Sequence, residues 1–285
     1  WNSQVQFGRT TRVFTEWYQP LDAGRAVFLA PRAEFSQDRV DSNGATGGLF
    51  RAKFRRFEAG ADAGMQLANF GELRVGPVWS RTSAYELRGI TLPGGITHAT
   101  EAGARLRLIF DQFDNVDFPR SGHLGGLEIF SSRKELGADL NHNLASASWH
   151  QAFSFGENTF VAGADLNGKL GQDLPFYENF SLGGFLNLSG YPFGGLSDQY
   201  SGLARVIYYR RIAGASSRLR GAIYAGGSLE SGGVWHRSQE IGRGGLIAAG
   251  SVFLGAETMF GPLYLAYGHA GRGNHALYFY LGRGF

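Results

Sequence analysis

The sequence predicts an all-β fold, an antiparallel transmembrane β-barrel, on three observations. Apolar residues recur at every second position through most of the chain, glycine and aromatics are abundant while charge is sparse, and no apolar run is long enough for a spanning helix. Gly supplies 44 of 285 residues, with 23 Phe and 12 Tyr, and charged residues make up only 18%, below the usual quarter or so. Mean hydropathy is −0.17, polar on average. That fits a barrel, whose strands show lipid only at alternate positions; a spanning helix needs about 18 or more consecutive apolar residues.

The absence of cysteine excludes a disulfide framework and a thiolate metal site, and fits an exported bacterial protein. The net charge of +3 comes from basic residues standing singly inside alternating strands, so no nucleic-acid partner is expected. The chain opens Trp1-Asn2-Ser3 without Met, which places targeting information upstream.

Taken in chain order, the alternation changes phase within the segment from Phe50 to Leu67. Phe50, Ala52 and Phe54 form its first apolar set and Phe57, Ala59, Ala61, Ala63, Met65 and Leu67 its second. The slip at Arg55-Arg56 predicts a β-bulge, because a one-residue shift otherwise flips every side chain. Leu73, Val75, Pro77 and Trp79 then alternate with Glu72, Arg74, Gly76 and Val78. In Ala102 to Asp111 the even positions are Ala, Ala, Leu, Leu and Phe, and the odd ones Gly, Arg, Arg, Ile and Asp; in a strand these sets point to opposite faces. Ala204, Val206 and Tyr208 alternate with Leu203, Arg205, Ile207 and Tyr209; Val252, Leu254 and Ala256 with Ser251, Phe253, Gly255 and Glu257; Leu277, Phe279 and Leu281 with Tyr278, Tyr280 and Gly282.

Turn signals separate the strands at Gly8-Arg9-Thr10-Thr11, Asp22-Ala23-Gly24, Ser42-Asn43-Gly44, Asn69-Phe70-Gly71, Pro93-Gly94-Gly95, Pro119 to Gly122, Gly156-Glu157-Asn158, Gly261-Pro262 and Gly273-Asn274. Longer connections are expected over 131–139, 167–200 and 229–246. About fourteen strands are countable, each near the ~10 residues that cross a membrane at a tilt. Residues 1–285 read as one barrel domain. A soluble sandwich also shows period two, but here the polar faces are sparse and rich in Gly and aromatics beside a continuous apolar face. Lipid leaves no strand edge unsatisfied, so such a sheet must close. An Arg facing lipid at the midplane costs about 2–4 kcal/mol, so Arg105, Arg107 and, by the same parity, Arg205 are expected to line a basic interior.

Asp114-Asn115-Val116-Asp117-Phe118-Pro119-Arg120-Ser121-Gly122 and the alternating strand after it resemble the Asp-rich, Phe-Pro-x-x-Gly strand-turn-strand of the BamA/TamA/FhaC superfamily of outer-membrane barrels. Gly183-Gly184-Phe185-Leu186-Asn187-Leu188-Ser189-Gly190-Tyr191 resembles that family's lumen-folding sixth loop, whose tip is Arg-Gly-Phe/Tyr. The terminal strand, with Phe279, Leu281 and Phe285, is similar to the C-terminal signal read by the barrel-assembly machinery. The resemblance covers essentially the whole chain and implies sixteen strands, of which the first two would be missing here. It also implies a departure: Ser189 replaces the family's Arg, so the ion pair made by that Arg cannot form. Leu188-Ser189-Gly190-Tyr191 and Val13-Phe14-Thr15-Glu16-Trp17-Tyr18-Gln19-Pro20-Leu21-Asp22 resemble the barrel of patatin-like autotransporters, in which a lipid-hydrolysing domain is fused upstream.

Other constellations favour structural roles. No Gly-x-Ser-x-Gly elbow is present, so the barrel is not expected to be an enzyme, and phospholipase chemistry would lie in an upstream domain. His142, Ser146, Ser148 and His150 share a face of one strand but lack an orienting third group; polar filling is preferred to catalysis. His236, His269 and His275 match no metal-ligand spacing, and neither metal nor cofactor is expected. Arg105, Arg107, Arg205, Arg210 and Arg211 either line an anion or peptide path or pack the interior against Asp111, Asp165 and Glu257, the second being preferred. Gly183, Gly184 and Gly190 would let the loop lie close to a wall.

The leading functional expectation is a translocator and anchor, in the outer membrane of a Gram-negative bacterium, for a fused N-terminal patatin-like passenger. A stand-alone protein translocase or assembly factor and a passive, anion-preferring pore are the rivals. Expected partners are outer-membrane lipids, the barrel-assembly machinery during biogenesis, the fused passenger and, as an option, a second copy in a homodimer.

Overall fold

The computed structural model describes residues 1–8, 10–43, 49–88, 98–214, 221–242 and 244–282. Among them there is no α-helix, and strands dominate: β1 Asn2–Gln6, β2 Thr10–Glu16, β3 Gln19–Pro20, β4 Val27–Asn43, β5 Leu49–Leu67, β6 Gly71–Arg88, β7 His98–Asp111, β8 Gly122–Ser132, β9 His142–Phe155, β10 Asn158–Lys169, β11 Phe180–Leu182, β12 Leu196–Asp198, β13 Tyr200–Ala213, β14 Ile223–Trp235, β15 Ile247–Thr258, β16 Gly261–Ala270 and β17 Asn274–Leu281. The main sheet follows chain order, β1-β2-β4-β5-β6-β7-β8-β9-β10-β13-β14-β15-β16-β17, with β3 beside β4, while β11 and β12 pair on their own. The fourteen strands along this path equal the number countable from the sequence.

The chain divides into two compact units. The first comprises Trp1–Phe110, Gly126–Ser146 and Gly168–Glu178. Its β4 and β5 pair without a slip from Val27↔Met65 to Asn43↔Leu49. At 17, 19 and 18 residues, β4 to β6 exceed the roughly 9–11 residues a tilted strand needs to cross a bilayer. The predicted bulge at Arg55-Arg56 is not there. The shift in register lies between Arg51 and Lys53, against β6. Strict alternation therefore puts Phe54 on the side of Arg56 and Glu58, where its ring meets Phe176 at 6.1 Å. The sequence reading grouped Phe54 with the apolar set of Phe57; an aromatic supplied from elsewhere in the chain makes it an interior residue.

The second unit comprises Asp111–Gly125, Ala147–Asn167 and Asn179–Phe285. Here β13 to β17 pair in sequence, from Tyr200↔Trp235 to Leu263↔Leu281. The connection expected over 229–246 shrinks, because β14 continues to Trp235. Gly226, Gly227, Gly232 and Gly233 dilute its apolar signal. The turn at Pro93-Gly94-Gly95 and the terminal Phe285 lie outside the described residues.

In both units charged and polar side chains are buried while many large apolar ones are exposed. Arg32, Glu58, Asp62, Ser80 and Glu101 are buried in the first, and Ser228, Glu230 and Ser251 in the second. Large apolar side chains stand on the opposite face: Phe57, Met65, Val75, Trp79 and Leu106 in one unit, Val252, Leu254, Leu265, Leu277, Phe279 and Leu281 in the other. Contiguous exposed apolar surface on this scale marks an interaction with a partner or with lipid.

Candidate functional site: the two motifs and their seats

The strand-turn motif holds itself by Asx chemistry. Asp114 Oδ1 accepts the backbone N–H groups of Arg120 (2.8 Å) and Ser121 (3.0 Å), and Asn115 Oδ1 accepts that of Asp117 at 2.8 Å, closing a turn with side-chain acceptors. Gly122 ends it at φ 93°; a Cβ there would meet Gln112 O at 1.9 Å. This frame aims Phe118 inward, where it is 1% exposed. Its ring stacks on Tyr224 at 4.2 Å and meets Tyr264 at 5.3 Å. The Tyr209 hydroxyl donates to Pro119 O, and that of Tyr264 to Asp117 O at 3.4 Å.

The loop motif is a coil of left-handed backbone. Gly183, Gly184 and Gly190 have φ of 126°, 118° and 108°, and two leucines, Leu186 and Leu188, sit at 59° and 63°. A non-glycine residue in this region is disfavoured by about 1–2 kcal/mol and persists only where its surroundings hold it. The surroundings here do. Leu186 N–H donates to Ser189 Oγ (2.9 Å), Arg205 Nη1 donates to Leu186 O (2.6 Å), and Leu188 is fully buried against Leu182 and Leu203.

Two strands fasten the tip. Glu230 of β14 accepts the Ser189 N–H and the Ser189 hydroxyl, each at 2.7 Å, and also the Ser228 hydroxyl at 2.5 Å. Tyr278 of β17 accepts the Gly190 N–H at 2.9 Å and donates to Tyr191 O at 3.2 Å. Serine thus delivers two donors to a buried carboxylate. Ser189→Ala should remove one charge-assisted hydrogen bond and destabilise the fold by about 2 kcal/mol, read from unfolding curves in micelles; a change under about 0.5 kcal/mol would show that the hydroxyl is dispensable.

The two motifs share one aromatic cluster. Phe185 meets Tyr264 at 5.3 Å, Phe253 at 5.6 Å and Tyr278 at 5.7 Å, so Tyr264 touches Phe118 on one side and Phe185 on the other. Gly255 makes room: a Cβ there would lie 2.8 Å from the Phe118 ring.

Among the described residues one arginine finds an expected partner, Arg205 with Asp165, and the others have different ones. Arg105 binds Glu58 at 2.6 Å, Arg107 binds Asp62, and Arg32 joins both carboxylates at 2.5 and 3.4 Å. Arg205 lies 3.6 Å from Asp165, which also meets His150 at 2.9 Å. Arg210 is on the exposed face of β13, and Arg211 pairs with Glu157 at 2.6 Å. Asp111 instead accepts the N–H of Phe113 (3.4 Å), and Glu257 accepts the Tyr224 hydroxyl (2.9 Å). Alternation in one strand fixes a face but cannot name a partner on another strand. His142 faces Glu101 at 3.2 Å. His236 meets Asp198 at 3.1 Å, and His269 stands directly across from His275 in the β16–β17 register. Within the 13–22 phrase, Glu16 pairs with Arg74 at 2.7 Å and Tyr18 stacks on Phe28 at 4.4 Å. In β17, Phe279 is 76% and Leu281 51% exposed.

Residues 82–232 match the family model described as the Omp85 superfamily domain. No curated protein sequence matches the chain. Among solved structures it is similar to BamA from Haemophilus ducreyi lacking POTRA domains 1-3, at 11% identity and a TM-score of 0.71, over 96% of this chain and 61% of that one. It is also similar to CdiB from Escherichia coli (13%, TM-score 0.64, 95% and 52%) and CdiB from Acinetobacter baumannii (13%, TM-score 0.61, 93% and 47%). The chain therefore spans only about half to three-fifths of the length of these proteins, and the likeness establishes a shared β-barrel fold.

Proposed function

Since this chain belongs to the Omp85 superfamily, we propose that it is an outer-membrane translocator and anchor barrel of a Gram-negative bacterium, which carries a fused N-terminal patatin-like lipase passenger to the cell surface. The observation that carries this reading is the seating of the loop tip. Ser189 and Gly190 are bound to Glu230 and Tyr278, and Phe185 is joined to Phe118 of the strand-turn motif through Tyr264. A segment with two left-handed leucines held this firmly has a task beyond linking two strands. The exposed apolar face is the surface for membrane lipid, and Phe279, Leu281 and Phe285 are the residues offered to the barrel-assembly machinery. The passenger subtype is favoured by Leu188-Ser189-Gly190-Tyr191, whose serine uses both of its donors on Glu230. The barrel supplies passage and attachment, and any lipid hydrolysis belongs to the passenger.

The test uses the full-length natural protein. A Gly-x-Ser-x-Gly domain is expected upstream, and deletion of residues 183–191 should reduce its surface display, measured by antibody binding to intact cells, to background. Full display without the segment would sink the loop's role. The absence of a hydrolase domain upstream would move the reading to a stand-alone translocase. A large ungated conductance with the loop intact would favour a passive pore.

A further inference from the structure

On the outward face of the first unit, charge is confined to one level. The outward positions from Val27 to Gln37 in β4, Lys53 to Leu67 in β5 and Leu73 to Tyr85 in β6 carry no carboxylate, and their only cations among the described residues are Lys53, Arg55 and Arg81. Lys53 and Arg55 share a face of β5. The register pairs Arg55 with Ser83 and Phe57 with Arg81, so Arg81 is the diagonal neighbour of Arg55. Long side chains on diagonal neighbours reach one another, and like charges on adjoining strands repel. Both arginines are exposed, and Arg55 lies over the Tyr85 ring at 4.2 Å. Among the described residues no carboxylate pairs with either, whereas Arg32, Arg56 and Arg105 on the inner face all meet Glu58. The carboxylate of Asp139, beyond β7, is taken up by the Thr100 N–H at 2.6 Å.

The level of the cluster is set by what lies below it. Phe57 and Trp79 meet edge to face at 6.2 Å, and Ala59, Ala61, Ala63 and Met65 follow along the outward face of β5. Met65 and Arg55 stand ten residues apart on this strand. At ~3.3 Å per residue and a tilt of about 40° that is a rise of about 25 Å, the height of a barrel's apolar band. The cations therefore stand at the headgroup boundary, where charge on the outer wall is tolerated. The connection 133–141 docks at the same level: Asp139 N–H donates to Thr100 O at 2.9 Å, and Thr100 lies across from Arg81. The short turn 68–70 joins β5 and β6 at their other end. Barrels turn short connections to the periplasm and long ones outward, so the boundary is that of the outer leaflet.

We propose that Arg55 and Arg81 form a binding site for the phosphate of an outer-leaflet lipid, with Lys53 adding positive charge and the Phe57–Trp79 pair lying along the acyl chains. Each guanidinium offers paired N–H donors that match two phosphate oxygens, and two guanidiniums together relieve their mutual repulsion on one dianionic group. A lipid is the occupant because the cations lie on the membrane-facing side, directly above exposed apolar surface: Phe57 is 45% and Trp79 42% exposed.

The inference rests on the outer-membrane reading above, but its readout needs no passenger. The folded protein in detergent micelles is titrated with phosphatidic acid, whose phosphate is a monoester, and with phosphatidylcholine, whose phosphate is capped, and retained lipid is counted by native mass spectrometry. The parent should prefer phosphatidic acid. Arg55→Gln and Arg81→Gln should each weaken that lipid's binding about fivefold, and the double variant about thirtyfold. Arg55→Lys with Arg81→Lys should keep most of the preference, and Lys134→Gln, an exposed charge elsewhere in the unit, should match the parent. Circular dichroism checks that each variant remains folded. Equal retention of the two lipids by the parent, undiminished binding in the double glutamine variant, or an equal loss in Lys134→Gln would each overturn the site. Displacement of the lipid by inorganic phosphate would overturn the lipid as its occupant. Retention of neither lipid would sink the membrane reading beneath it, a failure distinct from loss of preference.

Discussion

Glu58→Ala is expected to be among the most destabilising single substitutions in the first unit, at about 3 kcal/mol or more, because breaking a buried pair leaves its partner charge uncompensated. Glu58 is shared by Arg32, Arg105 and Arg56, whose side chains are 4%, 11% and 24% exposed. All three have a fallback: Arg32 keeps Asp62 at 3.4 Å, Arg56 keeps Glu101 at 2.8 Å, and Arg105 reaches Glu128 at 3.4 Å, a partly exposed and weaker partner. That places the expected loss at the lower end of the usual ~3–5 kcal/mol. Glu34→Ala is the control. Its pair with Arg12 is 26% and 39% exposed, and such partly hydrated pairs contribute about 1 kcal/mol or less. Denaturant unfolding of both variants in lipid vesicles measures the contrast. Equal, small losses would mean that water already solvates the charges around Glu58.

Gly268→Val is the most damaging change expected for the loop tip. A Cβ on Gly268 would lie 2.7 Å from the Cβ of Ser189 and 2.8 Å from the Gly190 nitrogen. One of these is backbone and neither is the end of a flexible chain, so the tip must lift. Lifting removes the Glu230 and Tyr278 hydrogen bonds to the tip together and leaves the Glu230 carboxylate, 4% exposed, with the Ser228 hydroxyl as partner. The combined loss should reach about 3 kcal/mol, with a step up in planar-bilayer conductance. Gly271→Ala, on the neighbouring turn, is the control: the nearest atom to its Cβ would be 3.9 Å away, and parent-like behaviour is expected. Unchanged conductance and stability in Gly268→Val would show that the tip is not seated by these contacts.

The fold was legible because lipid imposes a strict rule on strands. Where that rule acts alone, as in Ala102 to Asp111, faces can be read directly. It fails where glycine empties the pattern, as at Gly232-Gly233 in β14, and where an interior aromatic mimics a lipid-facing one, as with Phe54 beneath Phe176. The candidate site was half legible. The motif residues stand in a recognisable order, but their seats come from far along the chain: Glu230 lies 41 residues from Ser189, Tyr278 lies 88 from Gly190, and Tyr264 lies 147 from Asp117. Glu230 was hidden further, because its strand reads as a connection. Nothing local to a single carboxylate between Leu229 and Ser231 signals that it holds a loop.

The distance between Gly190 and Tyr278 also sets an order of events. The tip's last fastener belongs to β17, synthesised after β13 to β16, so residues 183–191 emerge and must wait before they can lock. Long-range closure of this kind is slow because ordering precedes its reward. Among the segments of the second unit, the tip should be the last to gain protection from hydrogen exchange as the protein assembles. A chain truncated before Tyr278 should leave the tip held by Glu230 without its second fastener, and limited proteolysis of residues 183–191 would read the difference.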